Sequence, residues 1–279
     1  MSNINEKSEK NLASEKVKHP KRQMTRKILL FISFMLFPVT IFYFSPYLSI
    51  VGPVFGFITA SLLVFGSLFI FSLFLGRIFC SYICPMGGMQ DAMATIRTRR
   101  IQRRSFFVKW LIFIPWIIVI ILLPILFAKS FNGIDFFFGM DNQEIGLPGI
   151  SILSIQGIAI YYGIVAILLI LGFAVGKRSF CHHVCWVGPF MVIGRKLANW
   201  LRIPSLRLQS DTSKCNQCKR CDRTCPMSLE VHTFVKRGDM EDSNCILCGN
   251  CIEECPRNVI HYTFKSHQKA KSEPLVEEK

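Results

Sequence analysis

The sequence predicts a helical membrane domain of four transmembrane helices, two parallel two-helix repeats, followed by a small cysteine-rich α+β module. Three observations carry that fold class: four long apolar stretches, a cysteine motif repeated at an offset of 101 residues, and two tightly spaced cysteine runs near the C-terminus.

The apolar stretches are Ile28 to Ile50, Val54 to Gly76, Trp110 to Ala128 and Ile155 to Gly176. Each is long enough to cross roughly 30 Å of hydrocarbon. Pro38 predicts a kink in the first, which a membrane helix tolerates when neighbours satisfy the freed carbonyl. The helices of a soluble core rarely run this far without a charge. A cleaved signal peptide fits poorly, because 27 mostly polar residues precede the first stretch and no small-residue cleavage site follows it.

The net charge of +15 would suit nucleic acid, but its distribution does not. Residues 1 to 27 carry eight Lys or Arg, residues 77 to 109 seven, and residues 177 to 279 seventeen. The link Ser45 to Pro53 carries none, and Lys129 to Ser154 carries one beside Asp135, Asp141 and Glu144. In a four-span arrangement nearly all the positive charge therefore falls on one side. That bias predicts a multi-pass protein of the bacterial inner (cytoplasmic) membrane with both termini cytoplasmic. Anionic lipid would attract Lys18 to Lys27 and Arg97 to Arg104. No nucleic-acid partner is expected. All twelve cysteines then lie at or beyond the cytoplasmic span ends, in a reducing compartment that favours metal or cluster ligation over disulfides.

Composition sets the boundaries. Residues 1 to 24 read as a disordered basic arm, 25 to 205 as the membrane domain, 206 to 264 as the soluble module, and 265 to 279 as a flexible tail. Within the membrane domain, Arg77-Ile-Phe79-Cys80-x3-Cys84-x2-Gly87 matches Arg178-Ser-Phe180-Cys181-x3-Cys185-x2-Gly188. Each copy follows a pair of spans in the same direction, so a pseudo-twofold axis runs along the membrane normal. Pro189 to Arg202 mixes apolar and basic residues as a helix lying at the headgroups would, and Pro85 to Arg104 does so more weakly. Gly172 and Gly176 form a small-residue pair that permits close approach of another helix.

The C-terminal runs are Cys215-x2-Cys218-x2-Cys221-x3-Cys225-Pro226 and Cys245-x2-Cys248-x2-Cys251-x3-Cys255-Pro256. Zinc takes paired Cys-x2-Cys as well, but usually as two separated pairs. Four cysteines within eleven residues, twice, each closed by proline, match the bacterial iron–sulfur run, whose fourth cysteine ligates the other cluster. The expectation is a bacterial-ferredoxin-like domain with two [4Fe-4S] clusters. Cys215, Cys218, Cys221 and Cys255 would hold one, and Cys245, Cys248, Cys251 and Cys225 the other. Ile246, Leu247, Ile252 and Val259 would shield them.

Cys80 and Cys84, and Cys181 and Cys185, each share a face if helical. Related by the pseudo-twofold axis, the four offer a third metal or cluster centre. A redox-active dithiol pair and simple packing are the alternatives. Arg77 and Arg178 would lower thiolate pKa or hold a lipid or quinone headgroup. His182 and His183, in place of Ser81 and Tyr82, suggest either a proton acceptor or interfacial polarity. His19, His232, His261 and His267 read as structural or solvated. Phe131, Phe136, Phe137 and Phe138, with Met140 and Trp116, suggest an interfacial aromatic belt. No hydrolase triad, dinucleotide loop, zinc-protease histidine pair or flavin attachment signal is present.

With these motifs the chain resembles the NapH-like membrane ferredoxins, relatives of the NosR-type and CcoG-type membrane iron–sulfur proteins. The resemblance runs from about residue 25 onward. It rests on four spans, Phe79-Cys80-Ser81-x2-Cys84-Pro85, its second copy at Cys181 to Cys185, and the twin runs. Trp186 departs from the proline the family has there, and no flavin domain is added. The resemblance implies electron transfer between membrane quinol and a redox partner protein, through the two clusters. The alternatives are a CcoG-like metal-reducing or cofactor-maturation protein and an iron–sulfur redox regulator.

Overall fold

The computed structural model describes residues 20–96, 98–101, 107–127, 133–138 and 155–267. Helix α1 (Pro20–Thr40) contains Pro38 and tightens into a 3-10 turn, Ile41–Phe44, before α2 (Leu48–Val54) and β1 (Phe57–Thr59). The residues 20 to 24 assigned to a disordered arm are thus helical, while residues 1 to 19 lie outside the described residues. Thr59 caps α3 (Ala60–Leu75), its side chain accepting from the Leu62 amide. Two short elements follow, α4 (Ile78–Tyr82) and α5 (Pro85–Ile96). The second copy repeats the order with α6 (Val108–Phe127), β2 (Gly133–Asp135), α7 (Ile155–Ala174), α8 (Ser179–His183) and α9 (Val187–Trp200). Strand β1 pairs in parallel with β2 and ties the two copies together at the end remote from the cysteine motifs.

Two stretches are long and apolar enough to cross a membrane, Lys21–Val54 and Gly157–Ala174; Ala60–Leu75 and Val108–Leu123 are apolar but shorter. In the two longer stretches only 28% and 17% of the most apolar part is buried, so these are not core helices of a soluble fold. Phe31, Met35, Ile70, Phe74, Ile118, Ile121 and Ile170 all point outward. So much exposed apolar surface needs an apolar surrounding.

The two stretches expected at the headgroups form helices that pack against the long apolar helices. α5 packs along α1 and α7, and α9 along α3 and α6. Each copy's last helix therefore lies against the first span of its own copy and the second span of the other. The fit is close. A Cβ on Gly88 would stand 2.8 Å from the Leu30 carbonyl, and one on Gly194 would overlap Ser72. Gln90 donates to the Leu168 carbonyl at 2.9 Å, and Gly172 receives the Met93 side chain. Phe190 stacks on Phe65 and meets Phe113 and Trp116 edge-on. The amphipathic pattern that suits a headgroup layer equally suits a groove between spans, and Arg195 finds a carboxylate instead of a phosphate. Of the expected aromatic belt, Phe136 and Phe137 are exposed, whereas Phe138 is buried against Phe57. Trp116 is turned inward, donating to the Pro46 carbonyl. Phe131 and Met140 lie outside the described residues.

In the module, β3 (Ser205–Ser210) pairs antiparallel with β4 (Ile260–Lys265) and brackets the short helices α10 (Arg220–Thr224), α11 (Val231–Arg237) and α12 (Asn250–Glu253). The module is bound to the helical domain by polar contacts. Arg195 meets both oxygens of Glu241 at 2.8 and 2.6 Å, a bidentate geometry that combines strength with orientation. Burial opposes the Glu241 charge, but Arg195, Asn199 and Arg207 hold its pKa below the ordinary value. Arg22 donates to the Gly249 carbonyl and Gln23 to the Cys248 carbonyl. Arg100 reaches Leu229, and Lys177 reaches Arg223.

Candidate functional site

The two C-terminal runs have one backbone design used twice. Gln217, Lys219 and Ser228 adopt positive φ, and so, thirty residues later, do Leu247, Gly249 and Asn258. Left-handed residues inside a turn aim successive N–H groups at one point, the concavity that favours an anionic centre. The loops close on one another across the runs. Cys225 of the first lines a cavity of about 30 Å³ together with Cys245, Cys248 and Cys251 of the second. Met227, Leu229, Phe234 and Ile246 complete an apolar wall. Cys255 lies near Cys221: burial first, then the Asp222 charge, then Cys218 and Cys255, push the Cys221 thiol up to about 12. Ile246, Leu247 and Val259 are buried as expected of shielding residues. Cys218 is exposed, whereas Cys225, Cys248 and Cys251 are buried.

His232 has a structural place. Its amide and its ring both contact the buried Asp222 carboxylate. His261 lies on β4 and is exposed, and His267 is partly exposed; His19 lies outside the described residues.

The four remaining cysteines are also buried. They do not sit on one helical face as expected. α4 ends at Tyr82 and α8 at His183, so Cys84 and Cys185 fall at the breaks before α5 and α9. Both copies close this break with the same wide turn: Cys84 donates its amide to the Phe79 carbonyl, and Cys185 donates to Phe180. The turn, not an i/i+4 face, brings each pair together, and the pseudo-twofold axis brings the pairs to each other. Burial, then Cys80, Cys185 and Cys181, raise the Cys84 thiol well above its ordinary pKa. Cys181 rises to about 12, its burial outweighing the pull of Arg178.

The arginines exchange sides. Arg178 of the second copy reaches the first, donating to the Cys80 carbonyl at 3.0 Å and lying beside Gly87. Arg77 of the first copy lies beside Gly188 of the second and donates to the Asn244 carbonyl of the module. Lys109 is buried as well and donates to the Asn244 side chain. Each of these three cations is 1% exposed. Asp91 meets one of them, 2.6 Å from the Arg178 Nε, and is also paired with Arg26. Burial works against the Asp91 charge, but Arg178 and Arg26 hold its pKa below the usual carboxylate value. The Nε of Arg77 and one Nη of Arg178 have no hydrogen-bond partner.

Buried charge on this scale demands an opposite charge nearby. The donors at hand are four thiols, which ligate only as thiolates. A thiolate-held centre would therefore supply the missing negative charge beside the cations. The all-sulfur donor set is the one soft iron–sulfur centres select. Among the described residues, no three His, Cys, Asp or Glu side chains converge around the volume of a single ion.

The sequence reading missed Arg26, Asp91, Lys109 and Asn244. Their signal was faint: a lone acid in a basic segment, and a lysine at a span edge. His182 was weighed as interfacial but is buried, its pKa held low by burial and by Lys109 and Arg77.

Comparison with known proteins gives the class first. A family model described as "4Fe-4S binding domain" matches residues 57–104 and again 157–204, once for each copy of the membrane motif. A second, "4Fe-4S dicluster domain", matches residues 207–256. The chain thus carries 4Fe-4S-binding domains of ferredoxin type. Named relatives are distant. The methylamine utilization ferredoxin-type protein MauN of Paracoccus denitrificans is 27% identical over 57% of this chain and 50% of its own length. An uncharacterized protein of Methanocaldococcus jannaschii is 26% identical over 56% and 54%. The putative electron transport protein YccM of Escherichia coli is 19% identical over 63% and 49%. The chain spans about half the length of these curated relatives. No solved structure matches.

Proposed function

We propose that this chain is a multi-pass inner-membrane electron carrier that passes electrons between membrane quinol and a cytoplasmic redox partner. One observation carries the reading: three groups of cysteines lie in series. The four membrane-edge thiols sit beside Arg178, which is linked through Asp91 to Arg26. Cys248 feels the charges of Arg26, Asp91 and Arg178, so the cavity holding Cys225, Cys245, Cys248 and Cys251 comes next. Cys215, Cys218, Cys221 and Cys255 come last, with Cys218 at the surface.

On this reading each group of four holds one [4Fe-4S] cluster, the third being Cys80, Cys84, Cys181 and Cys185. Bound clusters supply one-electron redox chemistry at potentials set by burial and by hydrogen bonds to sulfur. The chain's residues keep water out, present amide donors and balance charge. Val259 donates to the Cys255 sulfur and Gly188 to that of Cys185. Oxidation of one quinol to quinone releases two electrons and two protons, the electrons matching two one-electron steps and the protons passing to water. Arg77, Lys109 and Arg178 favour an electron-accepting anionic centre at the membrane end.

The test is anaerobic. The protein is purified in detergent, iron and sulfide are counted per chain, and a menaquinol analogue is added while EPR spectra are recorded. Iron near twelve with rapid quinol-driven signals is the expected result. Iron near eight would remove the third centre. Clusters that do not respond to quinol would overturn the quinol reading in favour of a metal-reducing or maturation role.

A further inference from the structure

A second apolar cavity, of about 320 Å³, lies on the far side of the membrane-edge thiols from the ferredoxin-type module. Its wall includes Phe44, Tyr47, Met86, Ile160, Ile164 and Trp186. The volume falls within the roughly 300–1,000 Å³ of small-molecule sites. Among the described residues none that lines it is charged, so a charged ligand would be stranded there while a neutral ring is accommodated.

Its position follows from the helix geometry. Gln23 touches the module at the Cys248 carbonyl, and Thr40, beside the cavity, lies 17 residues further along α1. At 1.5 Å per residue that is about 25 Å. The thiols lie between. Ser33 of α1 bonds the Ile83 carbonyl beside Cys84, less far from the module than Thr40 is. Two cavity residues come from the cysteine motifs themselves: Met86 lies two residues past Cys84, and Trp186 directly follows Cys185. Trp186 Nε1 donates to the Phe44 carbonyl at 2.8 Å. This fixes the indole as a flat wall and satisfies a carbonyl in the short 3-10 turn after α1.

We infer that this cavity is the binding site for the quinol ring, at the end of the thiol centre opposite the module. The inference rests on the quinol reading above. It also assigns a role to Trp186, which stands in the second copy where the first has Pro85. Flat aromatic walls suit an apolar ring, Tyr47 at the rim offers a hydroxyl, and the isoprenoid tail would leave toward the exposed apolar face of α1 and α7.

The test uses the full chain in lipid nanodiscs with a photoreactive azidoquinone. Cross-links are expected within residues 41–47 or 160–164 and should fade with excess menaquinone analogue. In parallel, Ile164→Trp should slow menaquinol-driven cluster reduction at least tenfold while dithionite still reduces every cluster, which shows that the variant is folded and loaded. Trp186→Phe, a milder change, should slow it less. Where the parent responds to quinol, labelling elsewhere, labelling that excess quinone does not suppress (a lipid-tail groove only), or an unslowed Ile164→Trp overturns the cavity and leaves the quinol reading intact. A parent that never responds to quinol overturns both.

Discussion

The first copy of the membrane motif carries Ser81, Tyr82, Pro85 and Asp91 where the second carries His182, His183, Trp186 and Val192. What the copies share is Arg, Phe, Cys, Cys and Gly at matching places. The shared residues all work across the axis. Each arginine lies beside the other copy's glycine, and each pair of thiols faces the other pair. The differing residues work outward: Asp91 ties Arg178 to α1, Trp186 walls the far cavity, and His182 takes the buried place of Ser81. The comparison teaches how one symmetric centre can lie between unlike neighbours. Sameness brings the four thiols together, and difference gives them two distinct sides.

The hardest test removes the shared part. If the four thiols hold one centre, Cys80→Ala and Cys181→Ala should each lower the iron count from near twelve to near eight, by the same amount. A loss from one copy only would break the symmetry argument, and no loss from either would end it.

The next largest effect concerns the part not shared. Asp91→Asn leaves Arg26 and Arg178 buried without their carboxylate, and breaking such a pair costs about 3–5 kcal/mol. The pH dependence has a definite sign. The folded-state pKa of Asp91 is depressed, so its contribution is complete above the ordinary carboxylate value of about 3.9 and is lost as pH falls below it. Thermal melts of parent and variant should therefore differ most near neutral pH and converge in acid. A constant gap across pH would mean that Asp91 acts by packing.

Much of this was legible in the sequence because the relevant signals are local. Cysteine spacing marks the twin runs, and a constant offset reveals the repeat. The meeting of Cys225 with Cys245, Cys248 and Cys251 follows from the interleaved run alone. The placement of α5 and α9 was not legible, because one amphipathic stripe serves a headgroup layer and a groove between spans equally well. Nor was the charge balance beside the four buried thiols. Arg26, Asp91 and Arg178 are separated by 65 and 87 residues, and only the folded chain puts them together. The break after α4 was hidden for a different reason: Cys-x3-Cys fits a helix face, and the wide turn that replaces it has no spacing of its own.

The finest test exchanges one atom group in each copy. A Cβ on Gly87 would stand 2.7 Å from the Cys80 carbonyl oxygen, a backbone atom at the root of the thiol site. A Cβ on Gly188 would meet an Arg77 Nη at 3.2 Å, the movable end of a long side chain. Both glycines lie in helices, where alanine gains up to about 1 kcal/mol in propensity. Gly87→Ala must still displace backbone, and overpacking of that kind costs about 1–3 kcal/mol. It should lower the melting temperature and broaden the EPR signal of the proposed third centre. Gly188→Ala needs only a small swing of Arg77, so its stability should change by less than about 1 kcal/mol. Equal losses would mean that the arginine beside Gly188 is held as rigidly as the peptide beside Gly87, making the two halves more alike than their surroundings suggest.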